Sequence, residues 1–173
     1  MAQPPYRVLF LCTGNSARSI MAEAIMNSKR RPNFTAYSAG SHPAGRVNPH
    51  ALKMIQTARL PIMGLRSKAW DEFAKPDAPK MDFVFTVCDT AAKEVCPVWP
   101  GQPMTAHWAV PDPAAVVGSE EQIDRAFRDA FNVLDRRISL LLSLPLASLD
   151  KLAIQKEIDR IGKEVPEVKA QHA

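Results

Sequence analysis

The chain has 173 residues, of which 46% are hydrophobic and 23% charged, and this composition is typical of one globular domain with a substantial core. No stretch approaches the roughly 18 consecutive apolar residues of a membrane helix, and the N-terminal residues do not resemble a secretory signal. The net charge of +4 suits an anionic substrate, while motifs for nucleic-acid binding are absent. We therefore expect a cytoplasmic protein that binds neither membranes nor nucleic acids.

Apolar patterning predicts three elements near the N-terminus. The apolar run within residues 6–11 predicts a buried strand. Apolar residues recur at helical spacing over residues 18–30, which predicts an amphipathic helix. A second short strand is expected at residues 35–39, closed by Gly40.

Two polar residues are predicted to begin the next helices. Asn48 precedes a proline, and this pair is typical of an N-cap followed by the first helical turn. That helix is expected to run through residue 58. Ser67 is expected to cap another short helix, which contains Trp70 and Phe73.

The second half of the chain continues the alternation of strands and helices. The continuous apolar character of residues 83–87 predicts a central parallel strand, and residues 104–108 are predicted to form a fourth strand. Ser119 and Gln122 have the spacing of a capping box. The apolar stripe that follows predicts a long helix that ends before Pro145.

Strands that alternate with helices predict an α/β fold, here a four-stranded parallel sheet flanked by helices on both faces. We assign this domain to residues 1–144. Residues 145–173 are predicted to form a C-terminal helical extension and a tail that frays after Pro166. The apolar face of the extension is expected to comprise Leu149, Leu152, Ile158 and Ile161.

Cys12 begins a loop with the features of an oxyanion-binding site. The loop leads into the first predicted helix, and helix N-termini attract anions. Arg18 can bind two oxygens of an anion at once, and a cysteine beside an arginine at a helix N-terminus ionises readily. We therefore expect a nucleophilic thiolate that accepts a hydrogen bond from Ser19. The residues predicted to surround the anion are Thr13, Gly14, Asn15, Ser16, Ala17, Arg18 and Ser19.

The alternative interpretation is a buried structural cysteine near an unrelated surface arginine. Gly14 and Asn15 argue against it, because glycine lets a backbone approach an anion closely and asparagine accepts a left-handed conformation. The three cysteines, Cys12, Cys88 and Cys96, form no Cys-x-x-Cys pair, and the four histidines are scattered. Neither a disulfide framework nor a zinc site is expected from such spacing.

Cys12, Cys88 and the loop after Trp108 each follow the carboxyl end of a predicted strand, where ligands bind in open α/β sheets. Four segments at and near these ends resemble the low-molecular-weight protein tyrosine phosphatase fold family and, within it, the arsenate reductases that share the fold. The segments lie between residues 6 and 143. They are Leu11–Ser19 with Ala22 and Glu23, Ser38–Gly40, Thr86–Asp89, and His107-Trp108 with Asp112-Pro113.

The resemblance implies reduction of arsenate to arsenite through a disulfide relay. In this interpretation Cys12 attacks the oxyanion, Arg18 binds it, and Asp112 protonates the leaving oxygen. Cys88 is expected to resolve the adduct, and Cys96 to resolve Cys88. The electrons come from an external thiol reductant, either thioredoxin or a small thiol with glutaredoxin, so no tightly bound cofactor is expected.

The resemblance also implies a candidate cation site beside the loop. Some reductases of this type bind potassium there, and the matching residues are Asn15, Glu23 and Ser38. A simple hydrogen-bond network among the same side chains is the alternative.

Two other functions stay open. A low-molecular-weight phosphatase that acts on phosphotyrosine or small phosphate esters needs neither Cys88 nor Cys96. Such phosphatases usually carry aromatic residues after the Asp-Pro pair, whereas Ala114, Ala115 and Val116 follow here, and this small wall suits an inorganic oxyanion. The second alternative is an oxyanion-sensing or partner-binding protein, for which an activated thiol is unnecessary.

Overall fold

The computed structural model describes residues 5–29, 31, 33–94 and 97–164, and the predicted tail after Pro166 lies outside this part of the chain. None of the helices in these ranges has the length and apolar character needed to cross a membrane. The strands are β1 (Tyr6–Leu11), β2 (Phe34–Ala39), β3 (Phe83–Thr86) and β4 (Met104–His107). The α-helices are α1 (Arg18–Ser28), α2 (Pro49–Thr57), α3 (Asp89–Lys93), α4 (Glu120–Leu142) and α5 (Lys151–Ile161). Short 3-10 helices span Trp70–Phe73, Pro113–Ala115 and Leu146–Ser148.

The four strands are parallel and lie in the order β2-β1-β3-β4. Leu9 of β1 pairs with Tyr37 on one side and with Val84 on the other. The predicted α/β fold with a four-stranded parallel sheet is therefore confirmed. Because all strands run the same way, the carboxyl ends of β1, β3 and β4 lie along one rim of the sheet.

Strand β1 is buried on both faces of the sheet, as expected for a central parallel strand. Val8 and Phe10 belong to the larger core cluster, to which α1, α2, α4 and α5 all contribute. Leu9 and Leu11 belong to a smaller cluster on the other face. The 3-10 helix Trp70–Phe73 and loop residues cover that second face. The four longer helices all pack in the larger cluster on the first face.

The predicted caps of the two longer helices are confirmed, but the role of Ser67 is different. The Asn48 side chain accepts a hydrogen bond from the His50 N–H at 2.8 Å. Ser119 and Gln122 form both hydrogen bonds of a capping box. The prediction that Ser67 caps a helix is wrong, since Ala69 precedes the 3-10 helix and is fixed there by a parallel bridge to Gly40.

The C-terminal extension packs against the body of the protein through α5. Ile158 and Ile161 are fully buried in the larger cluster. The indole N–H of Trp108 donates a hydrogen bond to the carbonyl of Ile158 at 2.9 Å. The expected apolar face is wrong at Leu152, which is 68% exposed, because α5 begins at Lys151 and turns Ile154, Ile158 and Ile161 toward the core instead.

Candidate functional site

Residues that follow three strands meet in one cavity at the carboxyl rim of the sheet. Cys12 follows β1, Cys88 follows β3, and Asp112 lies in the loop after β4. The cavity has a volume of about 270 Å³. Its lining comprises Cys12, Thr13, Gly14, Ser16, Ala17, Arg18, Cys88, Asp112 and Ala114. The predicted relay member Cys96 lies outside the described residues.

The loop between β1 and α1 is fixed from behind by Asn15. This residue is fully buried and has a left-handed backbone, with φ of 43°, as its residue type predicted. Its side-chain N–H donates to the Ser19 hydroxyl at 2.8 Å, and its side-chain oxygen accepts from the backbone N–H of Lys68 at 2.8 Å. Because the Ser19 hydroxyl is the acceptor in this bond, the predicted donation from Ser19 to the Cys12 thiol stays a prediction.

Gly40 allows the loop to lie against the end of β2. A Cβ atom at this position would lie 2.5 Å from the carbonyl oxygen of Thr13 and 2.6 Å from that of Cys12. Both oxygens belong to backbone, which cannot move aside as a flexible side chain would. Any larger residue at position 40 would therefore displace the beginning of the oxyanion loop.

Arg18 connects the loop to the segment that carries Asp112. One terminal guanidinium N–H donates to the carbonyl of Val110 at 2.9 Å, and the other lies 3.7 Å from the Asp112 carboxylate. The same carboxylate accepts a hydrogen bond from the Ala114 N–H at 2.9 Å. Because the Asp112 side chain is 43% exposed, the ion pair stabilises the protein by about 1 kcal/mol at most. The guanidinium and carboxyl groups nevertheless face the same cavity.

Cys12 and Cys88 are both buried and line the same cavity. The neighbouring Cys88 thiol and burial raise the pKa of Cys12, whereas the Arg18 guanidinium and the backbone N–H of Gly14 act in the opposite direction. The neighbouring Cys12 thiol lowers the pKa of Cys88 to about 5, with further help from backbone N–H groups. The ionisation of each thiol therefore depends on the other.

Several hydrogen-bond donors converge on the Cys88 sulfur. The Cys88 sulfur lies 3.4 Å from the backbone N–H donors of both Thr13 and Ala91, and 3.7 Å from the Thr13 hydroxyl. Hydrogen bonds to a charged group favour its ionised form. The ionised Cys12 thiol stays a prediction, because the Arg18 guanidinium and the Gly14 N–H favour its ionised form while burial and Cys88 oppose it.

A carboxylate that the sequence reasoning did not identify lies beside this thiol pair. Glu94 accepts a hydrogen bond from the Thr13 hydroxyl at 3.2 Å and from the Ser41 hydroxyl at 2.7 Å. It thereby connects the chain after α3 to the oxyanion loop. Nothing in the local sequence predicts this contact, because Glu94 is 81 positions away from Thr13.

The candidate potassium site contains a lysine. The Ser38 hydroxyl donates to the Glu23 carboxylate at 2.5 Å, and the ammonium of Lys68 lies 3.6 Å from that carboxylate and 3.3 Å from Ser38. Burial lowers the pKa of Lys68, while the nearby Glu23 charge opposes this. Because an ammonium group lies among the oxygens that a cation would bind, these residues do not fit a potassium ion.

The wall beyond Asp112 is small, as expected from its sequence. Ala114 lines the cavity, and the short 3-10 helix Pro113–Ala115 carries no aromatic side chain. The cavity can thus accept a small tetrahedral anion next to Cys12 and Arg18, with two thiols in reach and a carboxyl group at the entrance.

Comparisons with known proteins agree with this geometry. The arsenate reductase of Oceanobacillus iheyensis is 35% identical over 133 residues, which are 77% of this chain and 92% of the relative. A solved arsenate reductase in the phosphate-binding state is 25% identical, with a TM-score of 0.60 over 78% of this chain and 97% of its own. The thioredoxin-dependent arsenate reductase of Corynebacterium glutamicum is 26% identical, with a TM-score of 0.54 over 81% of this chain and 65% of its own.

The family described as low molecular weight phosphotyrosine protein phosphatase matches residues 7–157. This range includes all four strands except the first residue of β1, together with the oxyanion loop and the Asp112 loop. The chain therefore belongs to the low molecular weight phosphotyrosine protein phosphatase family.

Proposed function

We propose that this protein is an arsenate reductase, which converts arsenate to arsenite with two of its own thiols and an external thiol reductant. The observation that carries the proposal is that two buried thiols, Cys12 and Cys88, line one cavity together with Arg18 and Asp112. Hydrolysis of a phosphate ester needs a single nucleophilic thiol, whereas reduction needs a second one. The 35% identity to an arsenate reductase supports the same conclusion.

In the proposed first step, arsenate binds in the loop and the Cys12 sulfur attacks arsenic. A sulfur–arsenic bond forms and one arsenic–oxygen bond breaks. The departing hydroxyl group gains the proton of the Cys12 thiol and leaves as water. We assign this proton transfer to Asp112, whose carboxyl group lies at the cavity entrance, and anion binding to Arg18 and the loop N–H groups.

In the second step, the Cys88 thiolate attacks the Cys12 sulfur. A disulfide bond forms, the sulfur–arsenic bond breaks, and its electron pair stays on arsenic. Arsenic is reduced from the pentavalent to the trivalent state and leaves as arsenite, while the two thiols supply the two electrons. The position of Cys88 on the wall of the same cavity as Cys12 supports this attack.

Turnover requires that the new disulfide be reduced. We propose that Cys96 attacks Cys88 and passes the disulfide outward to thioredoxin or to a small thiol with glutaredoxin. The thioredoxin-dependent relative supports the first of these donors. No tightly bound cofactor is needed, since both electrons come from thiols. The free thiols of Cys12 and Cys88 suit a reducing compartment, and we propose the cytoplasm.

A substitution of Cys88 tests this mechanism directly. Cys88→Ser should reduce arsenate turnover with thioredoxin to the background rate, because the adduct on Cys12 then has no resolving thiol. Hydrolysis of an aryl phosphate, if present in the wild type, should continue in this variant. Arg18→Lys is the matched control and should weaken both reactions, since lysine cannot bind two anion oxygens at once. Normal arsenate turnover by Cys88→Ser would exclude the proposed relay.

Phosphoester hydrolysis is the second candidate function. Cys12, Arg18 and Asp112 alone form a nucleophile, an anion-binding group and an acid in one cavity, and this set suffices for it. Efficient aryl phosphate cleavage without any arsenate reduction would favour this candidate. The small wall at Ala114 argues for an inorganic oxyanion instead.

A further inference from the structure

Lys68 carries a buried ammonium group that the proposed reaction does not use. The residue is 8% exposed, and lysine is almost never buried without a partner. Its Nζ atom lies 2.8 Å from the carbonyl oxygen of Arg66, 3.3 Å from the Ser38 hydroxyl and 3.6 Å from the Glu23 carboxylate. Three oxygens, one of them charged, therefore surround the ammonium.

The backbone of the same residue contacts the oxyanion loop. Its N–H donates to the side chain of Asn15 at 2.8 Å, and its carbonyl accepts a hydrogen bond from the Gly40 N–H at 3.0 Å. Asn15 in turn holds the left-handed turn of the loop and bonds to Ser19. Whatever fixes residue 68 thus also fixes the loop that surrounds the anion.

A set of oxygens from a carboxylate, a hydroxyl and a backbone carbonyl is the kind of site that binds hard cations. Here the ammonium already lies among them. It also neutralises Glu23, whose side chain is only 15% exposed and is the acidic partner of this pair. Removal of one partner from such a buried pair leaves an uncompensated charge, which is strongly unfavourable.

We propose that the Lys68 ammonium is an intrinsic counter-cation that holds Glu23, Ser38 and, through Asn15, the oxyanion loop, in place of a bound alkali-metal ion. The proposal rests on the proposed function only in taking this loop as the oxyanion-binding site. Lys68 is a positioning residue in this scheme, since it acts through Asn15 and touches no reacting atom. The protein should consequently bind oxyanions equally well with and without potassium.

Glu23 also lines a cleft of about 410 Å³, together with Asn27 and Arg59. We expect an ion from solution to reach Glu23 through this cleft when the ammonium is removed. This makes rescue by potassium a specific test of charge rather than of shape.

The first measurement uses the unmodified protein. The affinity for inorganic phosphate is determined by calorimetry in potassium chloride and in tetramethylammonium chloride at equal ionic strength. We expect the same affinity in both salts. Potassium-dependent affinity in the wild type would overturn the proposal.

The second measurement uses Lys68→Met. In tetramethylammonium chloride, phosphate affinity should fall roughly tenfold to a hundredfold, as with other residues that orient a binding group from behind. Potassium chloride should restore most of it. Lys53→Met is the matched control, because it breaks an exposed lysine–carboxylate pair with Asp124, and neither residue lines the anion cavity. Its affinity should match the wild type in both salts. An unchanged affinity, or a loss that potassium does not reverse, would contradict the role as counter-cation.

A double variant separates charge from folding. Glu23→Gln combined with Lys68→Met removes both charges, so it should fold even if Lys68→Met alone does not, and its phosphate affinity should be low and independent of potassium. A response to potassium in the double variant would show that the cation acts elsewhere. Because the probe is phosphate binding, a failure of arsenate reduction in the wild type would refute the proposed function without affecting this result.

Discussion

At the scale of single residues, the two sulfurs differ in their hydrogen-bond donors. Cys88 accepts from backbone N–H groups of Thr13 and Ala91, whereas the Gly14 N–H and the Arg18 guanidinium act on Cys12. Hydrogen bonds to a thiolate favour its ionised form, and they lower the pKa of Cys88. The donors around the sulfur that acts second in the proposed reaction therefore favour its nucleophilic, ionised form.

This arrangement predicts a specific effect of Cys12 on the ionisation of Cys88. In a Cys96→Ser background, the ultraviolet absorbance of the thiolate should appear with a midpoint near pH 5. Cys12→Ala should move this midpoint upward, because the largest cause of the lowered pKa of Cys88 is lost. Adding Cys88→Ser to the background should abolish the acidic transition. A midpoint that stays near pH 5 in Cys12→Ala would contradict this influence of Cys12 on the pKa of Cys88.

Asp112 gives a second prediction at this scale. Asp112→Asn removes the proposed acid but leaves the N–H groups of the oxyanion loop unchanged. Because the leaving oxygen then lacks its proton donor, kcat for arsenate should fall about 10²–10⁴-fold. Phosphate affinity should change little, because the ion pair with Arg18 is long and partly exposed. Steady-state kinetics and calorimetry measure the two quantities. An equal loss of affinity and turnover would assign Asp112 to binding instead.

Cys12 and Arg18 could be identified from the pattern of their own segment, whereas Asp112 was identified only through the family resemblance. Lys68 and Glu94 could not be identified. Their contacts with Asn15 and Thr13 span 53 and 81 positions, and neither residue belongs to a local motif. The donors to Cys88 also escaped prediction, since one lies in the oxyanion loop and the other in α3.

At the scale of elements, the C-terminal helix supports the loop that carries Asp112. Trp108 directly follows β4 and stacks on Phe85 with ring centroids 3.9 Å apart. Its indole N–H donates a hydrogen bond to the Ile158 carbonyl. Arg137 of α4 donates both to the carbonyl of Ala109 and to that of Glu164. The extension is thus connected to the segment between β4 and the site by two sets of hydrogen bonds.

Two substitutions in α5 test this packing. Ile158→Ala should lower the free energy of unfolding by about 2–5 kcal/mol, because it creates a cavity in the larger cluster. Leu152→Ala, on the exposed side of the same helix, should change it by about 0.5 kcal/mol or less. Urea denaturation followed by circular dichroism gives both values. Similar small effects at the two positions would mean that α5 does not contribute to the core.

The same helix shows how far sequence patterns reach. Its existence was predictable from apolar spacing, but the spacing also included Leu152, which faces solvent. The helix starts at Lys151, and its core-facing side comprises Ile154, Ile158 and Ile161. Asp150 caps this start by accepting a hydrogen bond from the Ala153 N–H. Strands β1 and β3 were easier to predict, since a continuous apolar run indicates that both faces of the strand are buried.

At the scale of the whole molecule, each chemical part of the site belongs to a different strand end. The anion-binding loop follows β1, the second thiol follows β3, and the acid follows β4. Parallel strands bring these parts together although they are distant in the chain. The proposed chemistry therefore needs the complete sheet and no single motif is sufficient for it.

This separation has a consequence for how such a fold changes its chemistry. The segment after β3 can gain or lose a redox-active cysteine without any change in the oxyanion loop after β1. An ester hydrolase and an oxyanion reductase can then differ by an exchange of one connection, with the remaining architecture inherited unaltered. Grafting residues 88–96 onto a hydrolase of similar shape would be the corresponding engineering route.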